Sequence, residues 1–181
     1  IIRRMVADGK SDQQARRRIY MVDKSGLVTE STRDLRDFQA ALCKPLAEIA
    51  DWPVAGDAPS LLEVIVSAKP DILIGVSGQS GLFDEQVVRA IHAGCSLPVI
   101  FPLSNPTKQI EAIPRQLIEW TDGDVIVATG SPFEPVEYKG KHYDFPNLSI
   151  NPVPSKDMPI LFGGTPDAAL RRAALRTDGF V

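Results

Sequence analysis

Apolar residues in this chain gather into short runs parted by polar turns, and two spacings alternate along it. Residues 71–76 (Asp71-Ile72-Leu73-Ile74-Gly75-Val76), 98–101 (Pro98-Val99-Ile100-Phe101) and 125–128 (Val125-Ile126-Val127-Ala128) are continuous apolar runs of strand length. A run this short and this uniformly apolar fits a strand buried on both faces. Between them Val87, Val88 and Ile91 fall at helical spacing within residues 84–93, and Pro114 opens a helical stretch to Trp120. Strand, helix, strand, helix with short connections predicts an α/β fold, a Rossmann-type doubly wound parallel sheet with helices on both faces and right-handed crossovers.

The N-terminal part gives further elements. Residues 1–7 read as a helix interrupted at Gly9, and Ser11 with Gln14 three positions later predicts a capping box that starts a second helix through Arg18. Ile19-Tyr20-Met21-Val22 predicts another buried strand ending at Asp23, with Lys24-Ser25-Gly26 as its turn. Over residues 31–52, Leu35, Phe38, Leu42, Leu46 and Ile49 recur every three or four positions, which predicts a helix bent or split at Pro45. Ser60 predicts the cap of a helix through Lys69. Residues 136–143 alternate around Lys139-Gly140 as a hairpin, and the proline-bearing stretch 147–158 predicts coil. The expected organisation is one α/β domain over residues 1–145 and an atypical, irregular tail over 146–181.

Composition narrows the partners. In 181 residues the formal net charge is −3 and 24% of residues are charged, so the basic excess that draws proteins to nucleic acid or anionic lipid is missing. No apolar stretch approaches the ~20 residues of a membrane helix. Cys43 and Cys95 match neither a metal spacing nor a disulfide framework, and no secretory signal opens the chain, which predicts reduced thiols and a cytoplasmic location.

In open α/β sheets ligands bind beyond the carboxyl ends of the strands, so chemistry is sought there. Asp23 is one candidate: an acid at such a position accepts hydrogen bonds from ribose hydroxyls, though it reads equally as a solvated turn aspartate. Gly75-Val76-Ser77-Gly78-Gln79-Ser80-Gly81 is a glycine-bearing strand-to-helix loop that lets backbone approach a ligand, or merely turns tightly. In Leu103-Ser104-Asn105-Pro106-Thr107 the Asn105 amide offers a donor and an acceptor, while Asn before Pro is also ordinary turn chemistry. Ala128-Thr129-Gly130-Ser131-Pro132-Phe133 turns sharply with two hydroxyls. His92 and His142 have no carboxylate or serine at a telling spacing, which assigns both to surface or packing roles. Glu134 and Glu137 read as pointing to opposite faces of the hairpin and make a poor metal pair. No hydrolase triad is visible.

Taken together, four segments are specific. Tyr20-Met-Val-Asp-Lys-Ser-Gly-Leu-Val28, Lys69-Pro-Asp-Ile-Leu-Ile-Gly-Val-Ser-Gly-Gln-Ser-Gly-Leu-Phe83, Pro102-Leu-Ser-Asn-Pro-Thr107 and Trp120-Thr-Asp-Gly-Asp-Val-Ile-Val-Ala-Thr-Gly-Ser-Pro-Phe-Glu-Pro-Val136 resemble malic enzyme motifs in order and spacing. The resemblance covers residues 1 to about 145 and is closest to the bacterial NAD-linked branch. It implies the NAD-binding part of an enzyme that oxidises malate to pyruvate and carbon dioxide, with Asp23 at the adenosine ribose, Val76, Ser77 and Gly78 along the cofactor, and Asn105 at the nicotinamide ribose or the substrate. NADP is the alternative cofactor, with Lys24 beside Asp23 as the residue that would favour it. The resemblance further implies magnesium or manganese in a homo-oligomeric complete enzyme, with metal ligands and a tyrosine–lysine proton-transfer pair outside this chain.

The departures from the family pattern set a second expectation. The Gly-x-Gly-x-x-Gly phosphate cradle should stand just before Ile1, so the sequence is expected to open within the following helix, truncated ahead of it, and the isolated chain is expected to be inactive. The adjacent asparagines of the family are absent after Phe145; Asn147 and Asn151 are separated and inherit no role. A degenerate or regulatory nucleotide-binding module and a different Rossmann oxidoreductase remain the alternatives.

Overall fold

The computed structural model describes residues 1–145, 161–162 and 179–180. In the unit Ile1–Leu148, α1 (Ile2–Ala7) and α2 (Asp12–Arg17) open the chain. Ser11 caps α2 as predicted: its side chain accepts from Gln14 N at 3.1 Å while the Gln14 side chain accepts from Ser11 N at 2.9 Å. The same reciprocal device, Ser60 with Glu63, starts the helix after Ser60, and each tells the chain where to leave extended backbone.

The strand predicted at residues 19–22 is a correction. Of that run only Val22 enters a strand, β1 (Val22–Asp23), which pairs antiparallel with β2 (Gly26–Leu27) instead of entering a parallel sheet. The turn decides this locally. Asp23 Oδ1 accepts from Ser25 N at 2.8 Å, and Gly26 adopts φ 103 with Pro59 O only 2.7 Å from where a Cβ would lie. Leu27 is buried with Ile49 and Val64 in a small second core that includes Tyr20 and Trp52.

The helix predicted over residues 31–52 is also corrected. It resolves into α3 (Asp37–Ala40) and a single 3-10 turn, Leu46–Glu48. Phe38 is 59% exposed and Leu46 45%, so two of the five periodic residues face solvent and the stripe has no core to pack on. Local bonds compete as well: Thr29 N donates to Thr32 Oγ1, and Glu30 Oε1 accepts from Leu46 N. Ile49 alone of the five is buried.

The remaining unit follows the pattern closely. α4 (Leu61–Ala68) leads through Lys69, at φ 47, into β3 (Ile72–Gly75). Next come α5 (Glu85–Gly94), capped by Asp84, β4 (Val99–Pro102), α6 (Pro114–Trp120) and β5 (Ile126–Val127). β3, β4 and β5 form a parallel sheet in that order, with Leu73 opposite Ile100 and Ile100 opposite Val127. This is the Rossmann-type α/β architecture expected from the alternation. Leu73 and Ile100 lie in one core with Ile65, Val87, Val88, Ile91, Leu117 and Ile118 of α4, α5 and α6.

Helices on both faces are not found among the described residues. Ile72, Ile74 and Ile126, on the alternate positions, are 48%, 38% and 47% exposed. The strands are apolar on both faces, but α4, α5 and α6 pack against one. The hairpin expected around Lys139-Gly140 is present as β6 (Phe133–Tyr138) and β7 (Lys141–Phe145), with Val136 and Phe145 buried in the main core.

In the unit Ser149–Val181, β8 (Leu161–Phe162) and β9 (Gly179–Phe180) pair in parallel. The coil predicted at residues 147–158 lies outside the described residues. Among those described, no helix is long and apolar enough to cross a membrane.

Candidate functional site

Three strand ends converge. The residues that follow β3, β4 and β5 are 76–83, 103–107 and 128–133, and each loop is fastened to another by side chains. Glu111, in the segment between the 3-10 turn Thr107–Gln109 and α6, is fully buried and lies at the junction. Its Oε1 accepts from Ser77 N at 2.8 Å, Ser77 Oγ at 2.8 Å and Ser104 Oγ at 2.5 Å, and its Oε2 accepts from Ser104 N at 3.4 Å. Ser104 Oγ in turn accepts from Gly78 N at 2.8 Å.

The hydrogen bonds favour a charged acid at this cluster. Two backbone N–H groups, which can only donate, reach Glu111, and the Ser104 and Ser77 hydroxyls, which accept from the Gly78 and Gln79 amides, have protons free to point at it. Burial alone, the largest single influence, would push its pKa up. The bonds from Ser104 and Ser77 together outweigh burial and hold it below the usual carboxylate range.

Gly75 explains why this carboxylate fits. A Cβ there would lie 2.6 Å from Glu111 Cδ and 2.7 Å from Oε2, so only glycine at the end of β3 admits the acid beneath it. Backbone bonds complete the bracing: Gly81 N donates to Ile110 O and Phe83 N to Glu111 O. The third loop joins through Asn105, whose Oδ1 accepts from Ser131 Oγ. Gly130 has the Asn105 side-chain nitrogen 2.9 Å from its virtual Cβ. Thr129, buried, turns its own loop by donating to Ser131 O at 2.6 Å.

Of the residues expected from sequence, Val76, Ser77, Gly78 and Asn105 are brought to this edge and are exposed. The Ser77 hydroxyl is committed to Glu111 and Gln79, whereas Val76 is 77% exposed and an added Cβ at Gly78 would meet nothing nearer than 3.9 Å. Asp23 stands apart on the β1–β2 turn, where its Oδ2 accepts from Gln39 Nε2 at 3.3 Å. One bond to each oxygen leaves lone pairs for two further donors. Two surface depressions border α2, the first lined by Lys10, Gln14, Arg17 and Arg18, and no residue of the three loops lines either.

Glu111 escaped the reading of the sequence, and Ser104 and Ser131 fell within the loops it picked out without being given a partner. One signal was available for the first: Glu111 is the only charged residue in the apolar run Ile110-Glu111-Ala112-Ile113, and a lone charge in such a run is either exposed or deliberately paired.

His142 is a further correction. Carboxylates do flank it, one across the hairpin and one along its own strand: Nδ1 lies 2.6 Å from Glu137 Oε1, its register partner, and Nε2 lies 3.0 Å from Oδ1 of Asp144, two residues on. Bonds from Glu137 and then Asp144 raise its pKa. His92 has a buried Nδ1 with no partner among the described residues.

Comparison with known families gives a direct result. The family model described as malic enzyme, NAD binding domain, matches residues 1–149. The chain is 59% identical over 143 residues to an NAD-dependent malic enzyme of Aeromonas hydrophila and 54% identical over 143 to one of Colwellia psychrerythraea. Each alignment covers 79% of this chain and 25% of the relative. An NAD-dependent malic enzyme of Edwardsiella ictaluri aligns over 100% of this chain and 31% of its own length, at 45% identity over 182 residues. The chain thus spans about a quarter to a third of the length of the curated relatives it matches.

Proposed function

The chain belongs to the malic enzyme family, and we propose that it holds NAD in an enzyme that oxidises malate to pyruvate and carbon dioxide. The observation that carries the reading is the convergence of three strand ends on one edge, where Val76, Ser77, Gly78 and Asn105 stand exposed above internal polar bracing. Val76, Ser77, Gly78 and Asn105 would hold the cofactor along this edge, and NAD bound there would supply the hydride acceptor for oxidation of malate.

The chain's own residues bind and orient. Asp23 accepts the adenosine ribose hydroxyls with its remaining lone pairs and repels a 2′-phosphate, which favours NAD; Lys24 beside it keeps NADP as the alternative cofactor. Val76, Ser77 and Gly78 line the cofactor through backbone, and the bare Cα of Gly78 permits close approach. Asn105 offers its side-chain Nδ2 to the nicotinamide ribose or to malate, since its Oδ1 is bound to Ser131. Orientation of this kind accounts for a large share of rate enhancement in hydride transfer. In this reading the magnesium or manganese ligands belong to the remainder of the complete, homo-oligomeric, cytoplasmic enzyme.

The test is an amide-resolved NMR titration of the 181-residue chain with NAD, alongside an assay for NADH formation with malate and magnesium. The reading expects shifts at Gly78, Asn105 and Asp23 and no malate oxidation. Shifts confined to other surfaces would overturn it.

A further inference from the structure

Glu111 occupies the interior of the site yet was assigned no part in it. A carboxylate with no residual exposure is a costly choice for filling space, because an apolar side chain of similar volume serves a core at least as well. What the charge supplies is direction. All four bonds it accepts come from Ser77 and Ser104, which lie in the loops after β3 and β4. None comes from the ladder of the sheet.

The relay runs one way. With Glu111 ionised, the Ser104 proton must point at the carboxylate, so its lone pair faces Gly78 N–H. The Ser77 proton points inward likewise, and its lone pair takes Gln79 N–H. Two backbone amides of the first loop are therefore placed by the charge on Glu111, through hydroxyls whose orientation that charge sets. Ser104 is the immediate neighbour of Asn105, so the same acid also fixes where the Asn105 amide starts from.

We infer that Glu111 is a positioning residue for the nicotinamide half of the cofactor site, holding the backbone at Gly78 and the side chain of Asn105 at a fixed separation by bracing the first loop against the second. This rests on the NAD-binding reading above. Asp23, on a separate hairpin with no hydrogen bond to Glu111, belongs to the adenosine half, and that separation makes the inference testable.

The experiment compares the wild-type 181-residue chain with Glu111→Gln and Ser104→Ala, measuring affinity for NAD and for ADP, which keeps the adenosine half and lacks both nicotinamide and its ribose. Glutamine keeps the volume of Glu111 and one acceptor oxygen, but it removes the charge and turns an NH2 either toward Ser104 N at the Oε2 place or toward the three donors at the Oε1 place. Glu111→Gln is expected to lose roughly tenfold in NAD affinity, the scale of a small misplacement, with ADP affinity held within about twofold. Ser104→Ala, which leaves the charge and removes one arm of the relay, is expected to show a smaller loss for NAD alone, and it carries the test if Glu111→Gln does not fold. Equal losses for both ligands would make Glu111 merely structural and overturn the inference, as would an unchanged NAD affinity. If the wild-type chain binds ADP and NAD with equal affinity, the nicotinamide half makes no contact and the reading beneath the inference falls first.

Discussion

Replacing Gly130 with alanine probes the junction of the second and third loops without touching a charged group. Gly130 does not use the left-handed backbone that demands glycine, so alanine brings no conformational penalty and should gain about 0.4–1 kcal/mol by restricting the unfolded chain. Space opposes it. The new Cβ would lie 3.0 Å from the Leu103 carbonyl carbon, closer still to the carbonyl oxygen, and 2.9 Å from Asn105 Nδ2. Backbone cannot swing away as a side chain can, so the loops must part by a large fraction of an ångström, at the ~1–3 kcal/mol of an overpacked site. The balance is a net loss of about 1–2 kcal/mol, read by urea denaturation. Gly140→Ala is the control: it sits at φ 74 with nothing within 4 Å, so it costs a comparable ~1–2 kcal/mol through left-handed strain alone. The two variants should differ at the Asn105 side-chain amide, which moves only in Gly130→Ala, together with weaker NAD binding. A folded Gly130→Ala chain with an unmoved Asn105 resonance and wild-type NAD affinity would refute the proposed junction.

Leu73→Ala should cost about 2–5 kcal/mol because Leu73 is buried against the helices, and Ile72→Ala, on the open face, under about 1 kcal/mol; equal losses in chemical denaturation would mean the sheet is covered on both sides. Glu111 has a lowered pKa, so its contribution to stability is present above the ordinary carboxylate value of about 4.3 and is lost as pH falls through the depressed folded value. Melting temperature should therefore fall more steeply in acid for wild type than for Glu111→Gln, and parallel pH profiles would contradict this. His142 has a raised pKa, so its pairing is present below about 6.5 and lost as pH rises through the folded value. An NMR titration should place its midpoint above that reference and lower it in Glu137→Gln, and a midpoint insensitive to Glu137 would count against the pair. Asp23→Ser should lower NAD affinity about tenfold, given ~1.5–3 kcal/mol for hydrogen bonds to a charged group, and lower NADP affinity less. An unchanged ratio of the two would reduce Asp23 to a turn residue.

The parts of the fold that were legible are those set by neighbours in sequence. Ser11 with Gln14, Ser60 with Glu63 and Pro114 at the first turn of α6 mark helix starts through groups three or four residues apart, and the structure honours each. The failed helix has a different kind of cause: periodicity implies a helix only when a core exists for the stripe to meet. Residues 31–52 carried the stripe, but Phe38 and Leu46 found solvent, and Lys44 took the buried position instead, stacked 4.1 Å over the Tyr20 ring with its ammonium on the Arg17 carbonyl. A buried lysine beside an exposed phenylalanine reverses the polarity pattern from which the helix was read.

The site divides along the same line. Turns rich in Gly, Ser and Asn at strand ends were visible because backbone freedom and short polar side chains leave a compositional trace. The acid beneath them was not, since its partners Ser77 and Ser104 are 34 and 7 residues away, and only the parallel pairing of β3 with β4 brings them together. That pairing also sets which glycine is required. Gly75 faces Pro102 across the ladder, and its missing side chain is the space Glu111 fills, so a residue read in sequence as loop chemistry is in fact the floor of a buried carboxylate. The exposed residues therefore name the ligand class, while the buried ones decide whether the exposed ones stand where a ligand can use them.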